Sequence, residues 1–95
     1  MIVIVSLIVK NFDALNEFEK MVAPILHLTG AKMLHAIEVK RNDNVGEEIH
    51  VIEFPNMNAL ETYKQKTNTD SINRLRSLAI ENIDIKIELK SKYYV

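Results

Sequence analysis

The chain contains no cysteine, and only two glycines and two prolines among its 95 residues. Without cysteine there is no disulfide, no thiolate nucleophile and no cysteine-ligated zinc or iron–sulfur centre. No glycine-rich phosphate loop, Ser-His-Asp order or metalloprotease motif is present either. Charge of one sign is also missing: 12 Lys and Arg face 13 Asp and Glu, for a net charge of -1. With no basic block, neither nucleic acid nor an anionic membrane is expected as the main partner. The longest apolar run, Ile2 to Val9, falls far short of the roughly 20 residues that span a bilayer as a helix. It has no basic leader and no small-residue cleavage site, so it reads as a buried strand rather than a signal. A thiol-free chain of this kind fits the cytoplasm.

What is present is periodicity. Ile2-Val3-Ile4-Val5-Ser6-Leu7-Ile8-Val9 is apolar on both alternating faces, the pattern of a central strand covered on two sides. Asn11 and Asp13 offer N-cap oxygens, and Leu15, Phe18, Val22, Ile25 and Leu26 recur at helical spacing, predicting a helix from about Asp13 to Leu28. Pro24 bends or breaks it, and Gly30 follows as a left-handed stop. Lys32 to Lys40 reads as an edge strand, Arg41 to Glu47 as a hairpin loop, and Ile49 to Pro55 as a third strand ended by a residue that cannot donate to a ladder. Asn56 or Asn58 caps a second helix, broken at Lys66 to Thr69 and restarted at Asp70 or Ser71. Ile83 to Lys90 alternates as a half-buried edge strand, with Tyr93, Tyr94 and Val95 as an apolar tail.

The order βαββαβ is the ferredoxin-like split unit, with both helices on one face of a four-stranded antiparallel sheet. The other face stays bare although strand 1 is apolar on both sides. Four strands of about six residues expose near 400 Å² there, at the limit for a soluble monomer. Pairing two such faces removes about 800 Å² from water, an upper bound of about 20 kcal/mol against an association cost of about 4–15 kcal/mol. The expectation is a two-fold homodimer, sheet on sheet, with the tail reaching over its partner.

Val51-Ile52-Glu53-Phe54-Pro55, followed by Ala59, Tyr63 and Leu75-Arg76, resembles the uncharacterised family called domain of unknown function 1330. The resemblance implies the dimeric α/β-barrel superfamily, which also holds antibiotic-biosynthesis monooxygenases and muconolactone isomerases. It implies an α+β, ferredoxin-like chain forming a dimeric α/β barrel. The chain departs from the family at Ala36 and Ile37, where an arginine and glycines are usual, and at Lys66 to Thr69, where a Ser-Pro-x-Tyr turn is common. Fold carries over better than any site.

The candidate chemistry lies in strand 3. A hairpin symmetric about Asn44 sets His35 opposite Glu53 and Glu38 opposite His50, close enough for imidazole to meet carboxylate. An odd register breaks both pairs. Such a pair in a partly dry pocket is a general base; its plainer role is to satisfy itself within a sheet. Arg76 suits a carboxylate, enolate or phenolate, and Tyr63 and Phe54 would line the same space, although aromatics at such positions are commonly core. A metal held by His35, His50 and Glu53 is disfavoured because alternation separates the histidines, His27 reads as a partner of its helix dipole, and no cofactor is implied. Two functions stand side by side. One is a cofactor-free enzyme, monooxygenase- or isomerase-like, acting on a small apolar or aromatic metabolite. The other is a non-catalytic ligand-binding or assembly module. A pocket between helices and sheet holding Arg76 and Glu53 would favour the first.

Overall fold

The computed structural model describes residues 1–94. Its elements run β1 (Ile2–Val9), α1 (Phe12–Leu28), β2 (Lys32–Asn42), β3 (Val45–Glu53), α2 (Met57–Lys66), α3 (Asp70–Ala79) and β4 (Ile80–Ile87). One antiparallel sheet has the order β2-β3-β1-β4. The ferredoxin-like arrangement is therefore present, with β1 central and β2 and β4 at the edges. The barrel is not. Closure requires the first and last strands of the sheet to pair, whereas β2 and β4 lie at opposite borders of an open sheet.

The helices form where the caps and apolar stripes placed them. Asn11 Oδ1 accepts from Ala14 N at 3.0 Å, and Asn56 Oδ1 from Ala59 N at 2.9 Å. The α2–α3 break occurs as expected, but Thr69, rather than Asp70 or Ser71, caps the second piece. The α1 helix runs through Pro24 without a break. Gly30 adopts φ 81°, the left-handed stop after the helix. Val3, Val5, Leu7 and Val9 on one face of β1 pack with Leu15, Leu26, Ile52, Phe54 and Leu60 into the core under the helices. The opposite face of β1 and β3, holding Ile4, Ile8, Ile49 and Val51, carries no covering element among the described residues, and Ile4 and Ile8 remain about two-fifths exposed (41% and 40%). The apolar outer face is thus present in the fold.

The β2–β3 hairpin departs from the symmetric register. Asn42 pairs with Val45 across the two-residue turn Asp43-Asn44, with Asp43 at φ 56°. The strands extend into the stretch read as a long loop. Register shifts at Met33/His35 and Glu38/Lys40 then place His35 beside Val51, Ala36 beside His50, Glu38 beside Glu48 and Lys32 beside Glu53. The expected His35–Glu53 and Glu38–His50 pairs do not form. Each bulge inserts one residue and flips the face of those beyond it. Met33 and Ala36 consequently share the helix side while His35 and Ile37 lie on the outer side. At the other end of the chain, β4 starts at Ile80, three residues earlier than the alternation suggested, and ends at Ile87. Tyr93 and Tyr94 are exposed; Val95 lies outside the described residues.

Candidate functional site

Between the sheet and the helices lies a cavity of about 410 Å³ whose walls include Val5, Leu7, Phe18, His50, Ile52, Phe54, Leu60, Tyr63, Arg76 and Ile85. A smaller one of about 250 Å³ adjoins it under α1, sharing Phe18, His50, Ile52 and Tyr63. His50 therefore stands on the wall common to both. The sequence-derived candidates His50, Arg76, Tyr63 and Phe54 meet here, whereas His35 and Glu53 are exposed on the outer side and line neither cavity. The cavity holds Arg76 but not Glu53.

Two residues not singled out from the sequence complete the centre. Nε2 of His50 lies 2.6 Å from Oε2 of Glu48 and 3.2 Å from Oε2 of Glu19. Glu48 sits two residues before His50 and so on the same face of β3, while Glu19 descends from α1 beside Phe18. The signal for Glu48 was available in this two-residue spacing, but the expected hairpin loop ended at Glu47 and left it outside the strand. Nothing in the sequence singles out Glu19, since its contact with β3 is made through the fold.

Burial by itself disfavours the His50 imidazolium, but hydrogen bonds and charges from Glu19 and Glu48 outweigh it and hold the pKa above 6.5. Glu48 is pushed up from 4.5 by burial, with Glu19 adding to the rise. Glu19 is drawn below 4.5 because its interactions with His50 exceed its own cost of burial. The cluster thus favours a proton on His50 between two carboxylates. No hydrogen bond to Nδ1 of His50 occurs among the described residues, and no buried side-chain nitrogen or oxygen among them lacks a partner. Nδ1 is consequently not fully buried, in a residue that lines both cavities. The donor atoms of Glu19, Glu48 and His50 lie within 4.8 Å of one another, a spacing that a divalent cation could also occupy. The set weighed from the sequence, His35, His50 and Glu53, is not brought together.

From α3, which also lines the larger cavity, the Arg76 guanidinium lies 5.3 Å from the centroid of Phe18 and donates to Asn73 Oδ1. Among the described residues no carboxylate comes within ion-pair distance of it. A half-buried cation without a counter-ion at an apolar cavity is matched to an anion. Burial raises the Tyr63 pKa above 10.0 and Arg76 offsets part of the rise, so the phenol remains a donor at neutral pH. Its ring meets Phe54 edge to face at 5.9 Å.

No family model matches the chain, and no curated protein does; the resemblance to domain of unknown function 1330 is not supported by such a match. Solved structures share the fold. Protein Atu4242 from Agrobacterium tumefaciens superposes with a TM-score of 0.68 at 14% identity, over 97% of this chain and 94% of that one. The de novo designed protein Foldit4 gives 0.65 at 13% identity, over 95% and 97%. A candidate antibiotic biosynthesis monooxygenase from Deinococcus radiodurans gives 0.51 at 10% identity, over 100% and 98%. Natural and designed chains alike adopt this architecture, so the likeness speaks for fold alone. The protein is a small α/β domain with a half-buried His–carboxylate cluster beside an apolar cavity. No helix among the described residues is long and apolar enough to cross a membrane.

Proposed function

We propose that the protein is a cofactor-free enzyme that moves a proton on a small, largely apolar or aromatic metabolite carrying an anionic or enolisable group. The carrying observation is the bonding of His50, a residue on the wall of both cavities: both carboxylates engage Nε2, which leaves Nδ1 as the nitrogen without a partner among the described residues. Above its raised pKa the imidazole is neutral; Nε2–H then donates to Glu48 or Glu19 and the Nδ1 lone pair accepts the substrate proton. The carboxylates then stabilise the imidazolium that results. Arg76, and Tyr63 as a donor, hold the developing enolate or phenolate. Returning the proton to a different atom completes an isomerisation. With dioxygen as co-substrate, the carbanion formed by the same deprotonation would also be the species oxygenated, one oxygen atom entering the product as a carbonyl and the other leaving as water, a reaction of the class that the name of the Deinococcus radiodurans structure suggests.

Phenylpyruvate combines an aromatic body, a carboxylate and an acidic C–H, and is the probe of choice. Exchange of its C3 protons in D2O, followed by NMR, is expected to be accelerated by the wild-type protein and by neither His50→Gln nor Arg76→Ala. Thermal stabilisation by phenylpyruvate without exchange above background would replace the enzyme with the binding module; neither effect, across a panel of small aromatic and branched acids, would remove both.

A further inference from the structure

The two borders of the sheet differ. At β2, the bulges at Met33/His35 and Glu38/Lys40 interrupt the ladder, which blunts an edge against further pairing. At β4 the register with β1 is regular from Asn82 to Ile87, its one shift lying at the Ile8/Val9 end. Glu88 N donates to Ile2 O at 2.8 Å. Backbone groups alternate sides along a strand, so Asn82, Asp84 and Lys86 also turn theirs toward β1. Ile83, Ile85 and Ile87 turn theirs outward, unpaired among the described residues.

We infer that β4 pairs with β4 of a second copy, antiparallel about a two-fold axis through Ile85. Only residues with outward backbone groups can exchange hydrogen bonds, which restricts the registers. A dyad at Asp84 sets Asp84 against its own copy, and one at Lys86 sets Lys86 against its own copy. Centring on Ile85 instead sets Asp84 opposite Lys86 of the partner subunit, twice, with Ile83 opposite the partner's Ile87. The Asp84–Lys86 contact within one strand, 2.6 Å between Nζ and Oδ2, is then shared across two. Ile83, Ile85 and Ile87 are 44%, 45% and 39% exposed, and they lie on the helix side, where the first two border the larger cavity. The axis is perpendicular to the sheet, so both helix layers stay on one side and the partner's Ile85 abuts the cavity wall. Two four-stranded sheets become one continuous sheet.

Sedimentation velocity over a micromolar concentration series tests this. The wild-type chain is expected at twice the monomer mass. Asp84→Lys and Lys86→Asp, each placing like charges across the axis, are expected to sediment as monomers. Mixed, they are expected to recover the doubled mass, because lysines at both positions of one chain then face aspartates at both positions of the other. Ile4→Lys, in the outer face, is expected to leave the dimer intact, with circular dichroism confirming that every variant is folded. A monomeric wild type overturns the inference. So do dimers indifferent to both charge reversals, a mixture that fails to recover, or a dimer lost with Ile4→Lys, which would assign pairing to the sheet face.

Discussion

Glu48 and His50 lie two residues apart on β3, with Oε2 and Nε2 separated by 2.6 Å, so the strand's own alternation sets both on one face for a charge-assisted hydrogen bond. Glu19 then arrives from α1 at 3.2 Å. The folded state has a pH signature as a result. His50 has a raised pKa, so its stabilisation is fully present below the unfolded value of 6.5 and is lost as pH rises through the folded value. Glu48 is raised as well and loses its contribution in the same direction, starting from 4.5. Glu19 is lowered, so its contribution is present above 4.5 and fades as pH falls through its folded value. Thermal stability is therefore expected to be greatest near pH 4.5, to slip as Glu48 ionises above that value, and to decline further as pH rises past 6.5 and His50 loses its proton. His50→Gln should flatten the decline on the alkaline side. Calorimetric melts at unit pH intervals provide the check.

The two carboxylates can be separated by direct titration of the imidazole. Removing the charge of Glu19 or Glu48 leaves burial opposed by one partner instead of two. NMR titration of the His50 ring protons is expected to show a lower pKa in both Glu19→Gln and Glu48→Gln than in the wild type, and the lowest in the double variant. An unchanged His50 pKa in either single variant would show that the corresponding contact does not persist in solution.

How far the sequence reaches can be seen at Gly46. Element order, the central place of β1, the α2 cap at Asn56 and the gathering of His50, Tyr63, Phe54 and Arg76 all follow from local periodicity, which is set by neighbours in the chain. The β2–β3 register does not. It depends on a two-residue turn with Asp43 at positive φ and on two bulges, which no alternating pattern encodes because a bulge leaves composition unchanged and flips every later face. The shifted register therefore set His35 beside Val51 on the outer side and away from Glu53, while Glu53 lies off the site by the alternation of β3 itself, three residues from His50. The closed barrel was likewise an inference from resemblance, and an open sheet satisfies the same element order.

Gly46 faces Arg41 across the hairpin, and a Cβ there would collide with the Lys40 carbonyl oxygen and the Arg41 backbone. These are backbone atoms, which cannot rotate away. Gly46→Ala is expected to lose about 2 kcal/mol or more, in line with overpacking of a close-packed site. At Gly30 the nearest obstacle is only Pro55 Cγ at 3.2 Å, and the cost comes from φ 81°; there Gly30→Ala should lose about 1 kcal/mol. Urea melts that ranked the two in the opposite order would argue against the bulged hairpin.

Phe18 and Arg76 give the sharpest separation of stability from binding. The guanidinium sits over the Phe18 ring, bonded to Asn73, with no anion from the described residues. Neutralising it in Arg76→Gln forfeits the ring contact, worth about 0.5–1 kcal/mol, and relieves the desolvation of an uncompensated charge, which acts in the opposite direction. The ligand-free Arg76→Gln protein is therefore expected to melt within about 1 kcal/mol of the wild type, a shift of at most about 4–8 °C for a domain of this size. Stabilisation by phenylpyruvate should nevertheless disappear, because a neutral amide cannot replace a bidentate cation toward a carboxylate. Phe18→Leu keeps the charge and removes the aromatic face, so it should weaken the ligand shift without abolishing it. If Arg76→Gln bound phenylpyruvate as the wild type does, the anion would have to lie elsewhere on the cavity wall, and Lys64, which also lines the larger cavity and is paired with Glu61 at 3.8 Å, would be the next cation to test.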